Sequence, residues 1–145
     1  MTDTARAKTP IWFWVVAVLA TLWNAMGVFD FVMTNMRNNA YLANFTPEQL
    51  DFFTSFPMWF TIIWAIAVFG AFIGSVLLLL RMGLAVPAFL ASVICYVISL
   101  IHNFALSNGA AVMGTAGIVM AALIGLVLLG LLFLARWAKA RGILT

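Results

Sequence analysis

Four long apolar stretches dominate the chain: Ile11 to Met33, Pro57 to Leu80, Leu84 to Phe104 and Ala110 to Ala135. A helix rises about 1.5 Å per residue, so roughly twenty residues cross a hydrocarbon layer about 30 Å thick, and each stretch meets that length. None alternates polar and apolar residues in the short, ten-residue manner of a spanning barrel strand. The pattern predicts an all-α membrane protein whose four transmembrane helices form an antiparallel bundle. One domain, 1–145, accounts for the whole chain, with no internal repeat and no low-complexity tract.

Composition sharpens that reading. Hydrophobic residues make up 66% and charged residues only 8%, with a mean hydropathy of +1.16. A disordered chain needs the opposite balance, and a soluble enzyme could not cover its surface with so few charges. The net charge is +3, but the seven basic residues are scattered singly, so no groove for nucleic acid is expected. They report topology instead. Arg6, Lys8, Arg81, Arg136, Lys139 and Arg141 fall on one side of the spans and only Arg37 on the other, which predicts cytoplasmic termini. Trp12, Trp14, Trp59, Phe60 and Trp137 stand where the spans would meet the headgroups, as aromatic belts do. The first span runs past the length of a signal-peptide core without an A-x-A site and reads as a retained anchor.

The connections differ in length. Arg81-Met82-Gly83 and Ser107-Asn108-Gly109 are short enough to make their flanking helices antiparallel neighbours. The first connection, Thr34 to Phe56, has room for structure of its own. Within it Thr46-Pro47-Glu48-Gln49 has the form of a capping box, and the apolar Leu50, Phe52, Phe53 and Phe56 suit a short helix that lies on the outer membrane surface or caps the bundle, a plain ordered loop being the alternative.

Small residues mark where helices in lipid can touch. Gly70 and Gly74 form such a face in the second span, and Gly117, Ala121 and Gly125 form another in the fourth, beside Gly114. In the third span Ser92, Tyr96, Ser99 and Asn103 share one helical stripe, with Cys95 and His102 at its edge. The first span places Thr21 and Asn24 near its centre and Asp30 towards its outer end. A carboxylate at membrane depth needs a partner or water. Equal depth makes His102 one candidate partner for Asp30, and Arg37 is a rival. Two readings follow. The polar groups either bond helices together, or Asn24, Asp30, Trp64, Tyr96, Ser99, His102 and Asn103 line a cavity open to the outer side and closed below by the Gly-packed half. Trp64 joins that set by depth alone.

No catalytic motif accompanies these residues. One His, one Cys and no paired carboxylates give no metal-ligand spacing, and Walker, G-x-S-x-G and zincin patterns are absent, so neither catalysis nor a cofactor is expected. Haem would require a second axial ligand from another chain besides His102. Cys95, in an apolar run, has no intramolecular disulfide partner. A quinone or lipid-headgroup pocket asks for less, namely a Tyr, an Asn and a His.

Leu22-Trp23-Asn24-Ala25-Met26-Gly27-Val28-Phe29-Asp30, and Trp64 to Gly70 running on to Leu77 to Arg81, resemble segments of small four-span bacterial inner-membrane proteins of unknown function, often labelled putative sugar transporters. The resemblance covers the first two-thirds of the chain. It implies a bacterial inner-membrane location and singles out Asn24 and Gly27. Two functions fit the sequence: an accessory or structural subunit acting through helix–helix association with its own kind or other membrane subunits, and an oligomeric solute permease or small channel with an outward-facing polar cavity for a small polar or lipid-like ligand.

Overall fold

Prolines set where two of the spans begin. Pro10 and Pro57, each at φ −67°, stand immediately before the helices α1 (Ile11–Asn35) and α4 (Met58–Leu79), where a missing N–H costs nothing. Between them lie two short helices, α2 (Asn39–Leu42) and α3 (Pro47–Thr54), and after them come α5 (Ala85–Ile101), a π-helical turn (His102–Leu106) and α6 (Gly109–Ala140). This computed structural model describes residues 7–145, so Arg6 lies outside the described residues. Four helices are long and apolar enough to cross a membrane: α1, α4, α5 with its π turn, and α6.

The boundaries depart from the apolar runs in two places. The helix α6 continues beyond Ala135 through Arg136, Trp137 and Lys139, since basic residues favour a helix C-terminus and their stems can lie along apolar surface. Near its start it breaks at Gly114, whose φ of 67° and ψ of −171° belong to a region that only glycine occupies readily. The capping box forms as the residues dictate. The Gln49 backbone N–H donates to Thr46 Oγ1 at 3.2 Å, and the Thr46 N–H donates to Gln49 Oε1 at 3.1 Å. Of the two places open to it, α3 takes the one on the bundle, packing against α6 and α1.

Neighbouring helices pack in the order α1 on α4, α4 on α5, and α5 on α6. The closest approach is at the glycine face of α4. A Cβ on Gly70 would stand 3.3 Å from the Ser92 Cβ, and one on Gly74 would stand 3.0 Å from the Phe89 ring, so both glycines let α5 come close. Ser92 sits in that seam and donates to the Ala67 carbonyl.

At the end that carries the chain termini, a solid core joins all four long helices through Phe13, Ala17, Leu78, Ala85, Phe89, Leu131 and Ala135. Arg81 ties the arms together there: its Nε donates to the Ile143 carbonyl at 3.1 Å and its Nη2 to the Ala7 carbonyl at 3.0 Å. Trp12 and Trp137 stack across α1 and α6 at 5.3 Å. Trp12, Trp14, Trp59 and Trp137 are exposed as belt residues should be, but Phe60 is only 2% exposed and belongs to the interior.

Candidate functional site

Towards the opposite end, where α2 and α3 lie, α1 and α6 are not a closely packed pair, and a cavity of about 470 Å³ opens among the helices. Such a volume is in the usual range of small-molecule sites, about 300–1,000 Å³. All four long helices contribute to its wall: Trp23, Asn24, Gly27 and Asp30 from α1, Trp64 and Ala67 from α4, Tyr96 and Ser99 from α5, and Gly117, Ala121 and Ile124 from α6. Phe53 of α3 and the adjoining Phe56 close it above, so the loop end is capped rather than open. Met26 of α1 and Met120 of α6 line the cavity and are 68% and 49% exposed, and α1 and α6 are not closely packed there, so an opening of the cavity would fall between those two helices.

The polar groups of the wall are held by specific partners. Asn24 Nδ2 donates to Ser75 Oγ at 2.7 Å, joining α1 to α4, and the buried Ser75 hydroxyl donates in turn to the Ala71 carbonyl at 2.9 Å. Tyr96 reaches from α5 to α6, its hydroxyl donating to the Ala121 carbonyl at 2.5 Å. Its ring lies where a Cβ on Gly125 would come to 3.2 Å, so the small residue at 125 makes room for tyrosine. Ser99 donates to the Cys95 carbonyl of its own helix at 2.9 Å, and Thr21 likewise to Ala17 at 2.8 Å; neither bridges helices.

Asp30 accepts a hydrogen bond from the Tyr41 hydroxyl of α2. Tyr41 is held in place by the Asn38 cap, whose Oδ1 accepts from the Tyr41 N–H at 3.0 Å, and by edge-on contact with Phe29 at 5.8 Å. Burial first, then the hydrogen bond to Asp30 and the negative charge beside it, push the Tyr41 phenol from 10.0 up to about 12. On its other side Asp30 borders a shallow groove with Leu22, Met26, Phe29 and Tyr41, so the carboxylate stands between the internal cavity and the outer face of α1.

Six of the seven expected site residues, Asn24, Asp30, Trp64, Tyr96, Ser99 and Asn103, therefore share one cavity wall, and His102 does not. Its ring is set among Phe60 at 4.4 Å, Trp59 at 5.2 Å and Phe56 at 6.1 Å. Neighbouring residues of a helix point about 100° apart, so with Asn103 on the cavity, His102 at the edge of the stripe is turned to the aromatic start of α4. Neither His102 nor Arg37 is the partner of Asp30. The second glycine stripe also divides, since Gly125 meets α5 through Tyr96 whereas Gly117 faces the cavity. Gly27 has open space around it and is part of the wall rather than a helix contact.

Tyr41 was not foreseen because it stands in a connection with no hydrophobic period. Its sequence signal was the asparagine cap three residues before it, in the one outer loop able to reach Asp30. Phe53 and Phe56 suit a helix that caps the bundle, whereas Met26, Met113 and Met120 carry no site signal at all, though flexible thioethers suit an adaptable wall. No protein family, curated protein or solved structure matches this chain.

Proposed function

We propose that this chain is a multi-pass protein of the bacterial inner membrane, an antiparallel four-helix bundle with cytoplasmic termini, that binds one small amphipathic molecule inside its outer half. The observation that carries this reading is the cavity itself, about 470 Å³, walled by every long helix and edged by hydrogen-bonding groups. Apolar side chains form most of the wall, which suits a ligand with an apolar body and a single polar end. A free sugar, polar on every side, would leave hydroxyls unpaired against Trp23, Phe56 and Ile124. An opening between Met26 and Met120 would face acyl chains, so the ligand would come from the bilayer.

The same geometry narrows the two other roles. Transport through a single copy would have to pass the core around Phe13, Leu78 and Phe89, all fully buried, so a permease would need a path between copies. The Gly70–Gly74 face is occupied by α5 of the same chain, so an accessory role would have to use another face of the bundle.

The test uses purified protein in a mild neutral detergent, titrated with phenylbutylamine, phenylbutanol and phenylbutyrate by calorimetry. Ala121→Phe, which fills the cavity from α6, serves as the reference that absorbs partitioning into micelles. At least one probe should bind saturably, near one per chain, to the unmodified protein and not to Ala121→Phe. Identical heats from the two proteins for all three probes would overturn the reading.

A further inference from the structure

We propose that the cavity selects an organic cation, an apolar body carrying an ammonium group that docks against Asp30. This rests on the reading of the cavity as a ligand site and names the class of molecule it takes.

Charge is the first argument. Among the described residues that line the cavity, Asp30 is the one with a formal charge, and none is Lys, Arg or His. The carboxylate takes its hydrogen bond from Tyr41, a neutral phenol that supplies a proton donor and no positive charge. A carboxylate at membrane depth is costly until a counter-charge reaches it, and interactions between charges strengthen where water is excluded. An ammonium group would supply that counter-charge; a phosphate or carboxylate head would meet repulsion with nothing to offset it.

Hydrogen bonding at Asp30 gives the same sign. The proton of Tyr96 is committed to the Ala121 carbonyl, that of Ser99 to the Cys95 carbonyl, that of Tyr41 to Asp30, and one amide proton of Asn24 to Ser75. Hydroxyl oxygens keep lone pairs after donating, and a carboxylate only accepts. Trp23, Trp64 and Asn103 also border the cavity and carry N–H donors, so the wall offers both signs, and it is the carboxylate of Asp30, an acceptor only, that calls for a head that donates. A protonated amine offers donors alone.

The aromatic content of the wall completes the fit. Trp23, Phe56, Phe60, Trp64 and Tyr96 all border the cavity. Ring faces attract a cation within about 6 Å, most strongly when it is desolvated. The groove on the outer side of α1, ending at Asp30 and Tyr41, would present the same carboxylate to a cation still in the lipid.

The probe series separates this proposal from the reading beneath it. At neutral pH phenylbutylamine is a cation, phenylbutanol is its neutral counterpart and phenylbutyrate its anionic one. The amine should bind at least about ten-fold more tightly than the alcohol, a difference of about 1.4 kcal/mol, and the anion most weakly. Asp30→Asn should bring the amine down to the affinity of the alcohol and leave the alcohol unchanged, whereas Asp30→Glu should keep the preference. The comparison within the unmodified protein stands even where a variant loses stability. If the alcohol or the anion binds as tightly as the amine, or if Asp30→Asn keeps the amine preference, the cation assignment is wrong and the cavity still binds ligands. If no probe binds, both fall together.

Discussion

Asp30 is the residue on which the site turns, and its partner comes from the element least marked in the sequence. A lone carboxylate near the end of a span could have been neutralised by His102 or Arg37; instead α2 delivers a phenol. Its consequence is measurable on Tyr41. Because the folded phenol holds its proton up to about 12 against 10.0 in an open chain, the contact contributes its full stability below pH 10 and loses it as pH rises through about 12. The chain has two tyrosines, so Tyr96→Phe leaves Tyr41 as the sole phenol whose ionisation changes the absorbance. Its absorbance titration should then centre near 12. Asp30→Asn should lower that midpoint only part of the way, since burial is the largest cause of the shift. A midpoint at the ordinary tyrosine value would mean that the hydroxyl is open to water.

Among the elements, the legible ones were those whose residues act locally. Thr46 and Gln49 needed only each other to form the cap of α3, and Pro10 and Pro57 fixed helix starts by their own ring geometry. What could not be read was anything that depends on a neighbour across space. A helical wheel puts His102 at the edge of the stripe that holds Ser99 and Asn103, but the imidazole lies on Phe60 of α4, a contact across space that no pattern within the third span announces. The two glycine stripes look alike in sequence, yet Gly74 lies against a ring of α5, whereas Gly117 borders the cavity with Met113 of its own helix over its Cβ position. The packing stripe makes a prediction of its own. Gly74→Leu places side-chain atoms into the Phe89 ring and should lower stability by about 1–3 kcal/mol, as overpacking does. Gly130, in α6, has nothing within 4 Å of its Cβ position, so Gly130→Leu should melt like the unmodified protein. Thermal unfolding of the purified proteins in detergent makes the comparison; equal losses would mean that the α4–α5 seam is not where these helices touch.

At the scale of the whole molecule, four apolar runs of spanning length were enough to give four spanning helices, because length and hydropathy are properties of each segment alone. The cavity was not legible in that way: it exists because α1 and α6 meet at Trp12 and Trp137 and are not closely packed beyond, a relation between the first and last spans that no window of sequence contains. The end-to-end polarity follows from the same arrangement. Arg81 gathers Ala7 and Ile143, so both arms and the link between α4 and α5 share one end, while α2 and α3 cap the other. The basic residues of the described chain concentrate at that first end, and positive charge is retained in the cytoplasm during insertion. Lys8, Asn39 and Arg141 are all exposed, and the native Cys95 is buried, so single cysteines at the three exposed positions can be read without a competing thiol. In intact cells Lys8→Cys and Arg141→Cys should resist a membrane-impermeant maleimide and react after permeabilisation, and Asn39→Cys should react at once. The opposite pattern would put Asp30, Tyr41 and the mouth of the cavity in the cytoplasmic half of the bilayer, and the ligand would then have to be sought among molecules of the inner leaflet.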